Sequence, residues 1–301
     1  MSGRHDDSGL RGTVGLGFRA ALADALLKAE APPLSFIEIA PENYLGVGGA
    51  RGRHLAMARE RWPVVCHGLC GDFSGAAPIN EELTAALKGF LRAHGARWYS
   101  DHLCLTHVDG GESFELLPLP FSEEAAVRAA ARVRALRDRL ELPLAVENVS
   151  AYLRPSPPPG EQAMDEASFT RRVVEEADCG ILLDVNNAYV NAVNFSSPTQ
   201  VHEAVRAFIR ALPLERVVQI HMAGHHVEAT DDGGAPTLVV DTHGAPMIDP
   251  VYDLLAFTLD EFAARGLTPP PVLLERDHNI PPLGELVVEL QRLRTIVGGA
   301  R

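Results

Sequence analysis

Side chains able to bind a divalent cation recur in this chain at the ends of short apolar runs. They are His67, His102, Glu147, Asp184, Asn186, His221, Asp241, His243 and Glu275: four imidazoles, four carboxylates and one amide. Residues 181–189 read ILLDVNNAY, and Asp184 and Asn186 are two apart, so on a strand they face the same side. By the same spacing His67 shares a face with Val65, His102 with Ser100, Glu147 with Ala145, His221 with Gln219, and Glu275 with Leu273. Asp241 and His243 repeat the interval in a polar segment. Taken singly, each reads as a satisfied rim residue or an Asx turn. Taken together they do not, because carboxylates gathered in an apolar funnel desolvate and repel one another. Cations remove that cost. The set exceeds what one ion needs and suits two or three divalent ions sharing bridging carboxylates. It holds no cysteine, which disfavours structural zinc. Imidazole mixed with carboxylate suits non-heme iron, with manganese or zinc as alternatives.

What positions these residues is a regular alternation. Apolar, β-branched stretches at residues 14–19, 36–43, 63–69, 97–104, 143–149, 181–189, 217–224 and 271–278 are predicted as strands. Helices are predicted after each, over residues 20–30, 53–61, 80–94, 122–140, 165–177, 198–212, 251–265 and 283–297. Ser122, followed by Glu123 and Glu124, reads as a helix cap. Eight strands alternating with eight helices predict a single-domain (β/α)8 TIM barrel over residues 13–298, behind a flexible tail at residues 1–12. An open doubly wound sheet is the alternative. It calls for a phosphate fingerprint after the first strand, and Gly15 and Gly17 lack the third glycine, so close packing is their expected role. The proline-rich residues 154–164 are expected as a surface loop. The polar segment at residues 225–249 is long enough to expect a function of it. Barrel active sites lie at the carboxyl ends of the strands, where all of these ligand types fall.

Composition narrows the partners. The chain has 301 residues, 46% hydrophobic and 22% charged, with net charge −13 and no lysine- or arginine-rich run. That disfavours nucleic acid and anionic membranes. No stretch reads as a membrane span or a signal peptide. Cys66, Cys70, Cys104 and Cys179 form no dense framework and suggest a reducing cytoplasm. Cys66 and Cys70 have a formal claim on a metal, but Cys66 should point away from His67, as a buried thiol. Glu42, Asn43, Asp101, Asn148, His225 and His278 are expected as orienting, capping or rim residues, with Tyr44 and Tyr189 as pocket walls.

Eight segments together resemble a known family. They are FIEIAPEN from Phe36, CHGL from Cys66, SDHL from Ser100, VENVS from Val146, LDVNNAYVNA from Leu183, QIHMAGH from Gln219, DTHG from Asp241 and LERDHNIP from Leu274. In order, over nearly the whole chain, they are similar to the multinuclear non-heme iron-dependent oxidative enzymes, which include the methanobactin biosynthesis oxidase. The resemblance implies a TIM barrel with two or three irons. By position His67, His102 and Glu147 match one iron site, Asp184, His221 and Glu275 the next, and Asn186, Asp241 and His243 a third. Asn187 is the alternative to Asn186. Members use dioxygen to modify cysteines of ribosomally made precursor peptides, giving oxazolone–thioamide pairs, thiooxazoles or loss of a cysteine carbon. A separate partner protein often captures the leader peptide. Competing expectations are a divalent-metal sugar isomerase or epimerase, a phosphoester hydrolase or abasic-site nuclease on the same fold, and a metal-binding scaffold without turnover.

Overall fold

The barrel strands are short and buried along their whole length, as parallel strands covered by helices must be. In the computed structural model, which describes residues 9–69, 71–75, 77–108, 111–228 and 238–299, they are β1 (Val14–Gly17), β2 (Phe36–Ile39), β3 (Val64–His67), β4 (Tyr99–His102), β5 (Leu144–Glu147), β6 (Gly180–Asp184), β7 (Val217–Met222) and β8 (Val272–Leu274). Each pairs in parallel with its sequence neighbours, and β1 pairs with β8 to close the ring. The expected TIM barrel is therefore the observed one. Its helices are α1 (Ala20–Lys28), α2 (Gly49–Arg59), α3 (Glu81–His94), α4 (Glu123–Leu140), α5 (Glu166–Ala177), α6 (Val185–Phe195), α7 (Val201–Ala211), α8 (Asp249–Ala264) and α9 (Leu283–Gly299). The Ser122 hydroxyl accepts from Ala125 N at 3.3 Å and caps α4 as its sequence predicts.

Three additions depart from plain alternation. The strand predicted over residues 181–189 stops at Asp184, and α6 starts on the next residue. Antiparallel ribbons join Leu105–Val108 to Gly111–Leu117 and His226–Glu228 to Leu238–Val240. Residues 229–237 of the long polar segment, Cys70 and residues 1–8 of the expected tail lie outside the described residues. Of that tail, residues 9–12 close the barrel's amino end. Leu10 is buried and Gly12 N donates to Pro269 O at 3.0 Å.

The barrel interior has two layers. At the amino end Leu10, Phe36, Val65, Trp98, Ala145, Val218 and Leu273 form an apolar plug. Gly15 makes room for it: a Cβ there would lie 2.5 Å from the Phe36 ring. Two residues further along β2, β3, β5 and past β8 stand Glu38, His67, Glu147 and Glu275, all buried. One side-chain repeat, about 6.6 Å of strand, thus separates hydrophobic packing from chemistry.

Candidate metal centre

Strand register brings the ligand types face to face. His102 lies beside Glu147 across β4 and β5, and Asp184 beside His221 across β6 and β7. His67 Nε2 and His102 Nε2 meet at 3.2 Å. Glu147 Oε2 stands 3.0 Å from the first and 3.4 Å from the second, yet this oxygen has no hydrogen bond. At most one of the two facing ring nitrogens can carry a proton between them. A cation would use both lone pairs and the carboxylate oxygen. Ligand atoms at about 2.1 Å from an ion lie about 3.0–3.4 Å from each other, which matches these separations. His67 Nδ1 is 3.0 Å from Ser100 Oγ, which orients the ring so that Nε2 faces inward.

His221, fully buried, joins this trio to the next. Its Nε2 lies 3.0 Å from Glu38 Oε2, which also accepts from Gln219 Nε2 at 2.6 Å. Donation to Glu38 leaves Nδ1 as the ligand nitrogen. Nδ1 has no hydrogen bond and stands 3.1 Å from Glu275 Oε2 and 3.7 Å from Glu147 Oε1. Among the described residues, the groupings with metal-compatible spacing are His67–His102–Glu147, Glu38–His221–Glu275, Glu147–Asp184–His221 and Asp184–His243–Glu275, each with candidate atoms within 4.8 Å of one another. Glu147, Asp184 and Glu275 each occur twice, as carboxylates that bridge ions would, while His221, with Nε2 given to Glu38, has one nitrogen for one ion.

The third position is assembled from a helix start and a loop. Asp184 caps α6: its Oδ1 accepts from Asn187 N at 2.6 Å, and its Oδ2 is buried without a partner. Asn148 pins the same residue, donating to Asp184 O at 2.9 Å and accepting from its N at 3.0 Å. Asn186 Nδ2 donates to Asp241 Oδ1 at 2.8 Å, and His243 Nε2 lies 2.9 Å from that oxygen. His225 is buried rather than at the rim. It contacts Asn186 Oδ1 at 2.8 Å and stacks on Tyr189. A cavity of about 720 Å³ opens onto the centre, walled by Arg19, Asn43, His67, His102, Tyr152 and His243 among others.

Burial and charge set the proton inventory. Burial alone would depress His102, but Glu147 and Asp101 more than offset it and lift its pKa to about 9. Burial would raise Glu147, yet His67 and His102 hold it down at about 2. Burial and then Glu147 and Asp241 push Asp184 upward. The metal-free site therefore stores protons where cations would sit. A cation binding at His102 must displace one below about pH 9, so its affinity should fall about tenfold per pH unit as pH drops. Binding titrations at pH 6 and pH 8 in two buffers of different ionisation enthalpy would read this. An affinity unchanged between them would contradict it.

His67, His102, Glu147, Asp184, His221, His243 and Glu275 fall in the metal-compatible groupings, whereas Asp241 and Asn186 lie outside them, Asp241 against His243 and Asn186 against Asp241. Asn186 reaches the site from the first turn of α6, not by strand parity, because Asp184 is both strand end and helix cap. Asn186 contacts Asp241, whereas Asn187 Nδ2 is tied to Asn148 O at 3.0 Å. Glu42 and Asn43 sit on a 3-10 turn, Pro41–Tyr44, not on a strand. Tyr44 packs toward Phe90 and Tyr189 on His225, while Tyr99 and Tyr152 wall the cavity. His278 is exposed, with Nδ1 3.0 Å from Thr242 O. Cys66 is buried in the outer core, its thiol pushed up by burial. Glu38 escaped sequence reasoning, although an acid inside the apolar run FIEI was the signal. Arg19 and Asp277 escaped it as well.

A family model described as RiPP precursor modification enzyme MbnB/TglH/ChrH matches residues 13–298. A UPF0276 protein of Pseudomonas aeruginosa (strain UCBPP-PA14) is 48% identical over 283 residues, covering 94% of this chain and 92% of its own length. One from Nitrosospira multiformis is 44% identical over 283 residues, with 94% and 92% covered. Among solved structures, endonuclease IV from Thermus thermophilus superposes with a TM-score of 0.55 at 17% identity, covering 96% of this chain and 100% of that one. An L-ribulose 3-epimerase gives 0.54 at 14% identity, with 96% and 94% covered. At such identities the likeness is one of fold. No helix among the described residues is long and apolar enough to cross a membrane.

Proposed function

This chain belongs to the MbnB/TglH/ChrH family of RiPP precursor modification enzymes, and on that premise we propose that it oxidises cysteines of a ribosomally made precursor peptide with dioxygen at two or three irons. The observation that carries the reading is Glu147 Oε2, buried against two imidazole nitrogens at 3.0 and 3.4 Å without a hydrogen bond. Imidazoles and carboxylates without thiolate are the donor set of non-heme iron. Such a centre supplies one-electron steps and a binding place for dioxygen and a substrate thiolate.

The chain's own residues do the rest. His67, His102 and Glu147 hold one ion; Asp184, His221 and Glu275 hold the next; Asn186, Asp241 and His243 serve a third. Ser100 and Glu38 aim the rings of His67 and His221. The plug below the ligand layer closes the floor, so peptide and oxygen share the upper opening. The cavity has room for a few residues of an extended peptide, and we assign capture of the leader to a separate partner protein. We place the reaction in the cytoplasm, consistent with Cys66, Cys104 and Cys179 being buried free thiols.

The test begins with elemental analysis of protein purified without oxygen. Cysteine-bearing peptides encoded in neighbouring reading frames are then added with dioxygen, and their masses followed. Iron at two or more per chain and an oxygen-dependent mass change at cysteine are expected. A redox-inert metal, with turnover of a sugar and no peptide product, would sink the proposal.

A further inference from the structure

Arg19 follows strand β1, and no ligand role explains it. Its side chain is 23% exposed and walls the cavity. Nη2 donates to Glu275 Oε1 at 2.9 Å, and Nε donates to Asp277 Oδ1 at 2.5 Å. The second oxygen of Asp277 lies 3.1 Å from His243 Nδ1. One guanidinium thus grips two carboxylates. One of these is itself a candidate ligand, and the other touches one. Gly17 leaves space for the grip: a Cβ there would lie 3.1 Å from Arg19 Nη1.

The consequence is specific to atoms. With Oε1 of Glu275 taken by Arg19, Oε2 is the oxygen left to face the centre, 3.1 Å from His221 Nδ1. With Asp277 accepting from Nδ1 of His243, the proton stays on Nδ1 and Nε2 presents a bare lone pair. That Nε2 is buried and stands 2.9 Å from Asp241 Oδ1, the neighbouring candidate ligand. The His243 backbone sits at φ 47°, a conformation that L residues adopt only when their surroundings hold them there. Asp277 contributes to that hold, since its N–H donates to His243 O at 3.0 Å.

We infer that Arg19 and Asp277 are a positioning pair that fixes Glu275 and His243 at adjoining positions of the centre, where His243 Nδ1 lies 3.6 Å from Glu275 Oε2, and so sets the affinity of the ion that His243 serves. The inference rests on the metal reading above. Its test is equilibrium dialysis of the whole protein against cobalt(II), with metal per chain and the visible spectrum as readouts. Asp277→Asn and Arg19→Gln should weaken the ion held by His243 about 10–100-fold and alter its cobalt band. The ion held by His67, His102 and Glu147 should stay. Arg19→Lys keeps the charge but cannot span both carboxylates, so it should fall between. A purely structural role would lower the melting temperature and leave the spectrum unmoved, which would overturn the inference. So would cobalt affinity and spectra in Asp277→Asn and Arg19→Lys matching the unaltered protein. No cobalt uptake by the unaltered protein would overturn the metal reading, and this inference with it.

Discussion

His221→Ala is expected to destabilise the metal-free protein by about 3–5 kcal/mol, because it leaves buried carboxylates without their partner. His221 is fully buried, with Glu38 Oε2 at 3.0 Å on one nitrogen and Glu275 Oε2 at 3.1 Å on the other. Burial would lower its pKa, but Glu38 and Glu275 more than offset that and raise it well above the ordinary histidine range. A histidine raised in this way contributes stability that is fully present below its unfolded value, about 6.5, and lost as pH climbs through the folded value. The loss in the variant should therefore be greatest at and below pH 6.5. For a domain of this size it corresponds to a drop on the order of 10 °C in melting temperature. Metal uptake should fall too, and turnover by more than about 100-fold, since even residues behind a ligand cost 10–100-fold. Adding Glu38→Gln should recover part of the stability by removing one of the repelling charges. A melting curve within 2 °C of the unaltered protein in the metal-free state, together with full metal content, would refute the arrangement.

Asp184→Asn should act in the opposite direction on stability and in the same direction on function. Asn keeps the α6 cap, because its carbonyl oxygen can still accept from Asn187 N. What changes is Oδ2, buried without a partner. Burial first, then the charges of Glu147 and Asp241, push this carboxyl well above its usual range. For an acid so raised, folding is opposed once pH exceeds the unfolded value near 3.9, and increasingly so up to the folded value. An amide has nothing to ionise. The metal-free variant should therefore melt higher than the unaltered protein, with the gap widening as pH rises from the unfolded value toward the folded one. It should also fail to hold the ions of the two groupings that contain Asp184. Paired melting curves and elemental analysis would read both effects. A variant less stable than the unaltered protein when both are metal-free would show that Asp184 is not held under strain by its neighbours.

Much of this was legible in the sequence because strand and helix periodicities differ and the candidate ligands are rare types in apolar surroundings. Val65 and His67, or Leu273 and Glu275, announce one face by spacing alone. The third position was harder to read. Asp184 ends a strand and starts a helix at once, so the strand parity that pairs it with Asn186 does not apply, and Asn186 stands on the first helical turn instead. Glu38 was hidden because a single acid in FIEI looks like an ordinary strand interruption. Only β2 packed in the ring shows it aimed at His221. Arg19 and Asp277 act across 258 positions of sequence, a pairing that no local pattern encodes. The ribbons escaped because they lack the buried apolar run of the barrel strands: Thr106 and His107 interrupt one, and His226 and Glu228 flank the exposed Val227 of the other.

The stacking of plug and ligands by a single strand repeat constrains how relatives can diverge. Deleting or inserting one residue inside a barrel strand would turn its imidazole or acid outward and put a neighbour such as Cys66 or Val146 in its place. Changes of length should then accumulate in the connections above the ring, while the eight staves keep a common phase. Variety in substrate can evolve at the mouth without retuning the chemistry beneath it.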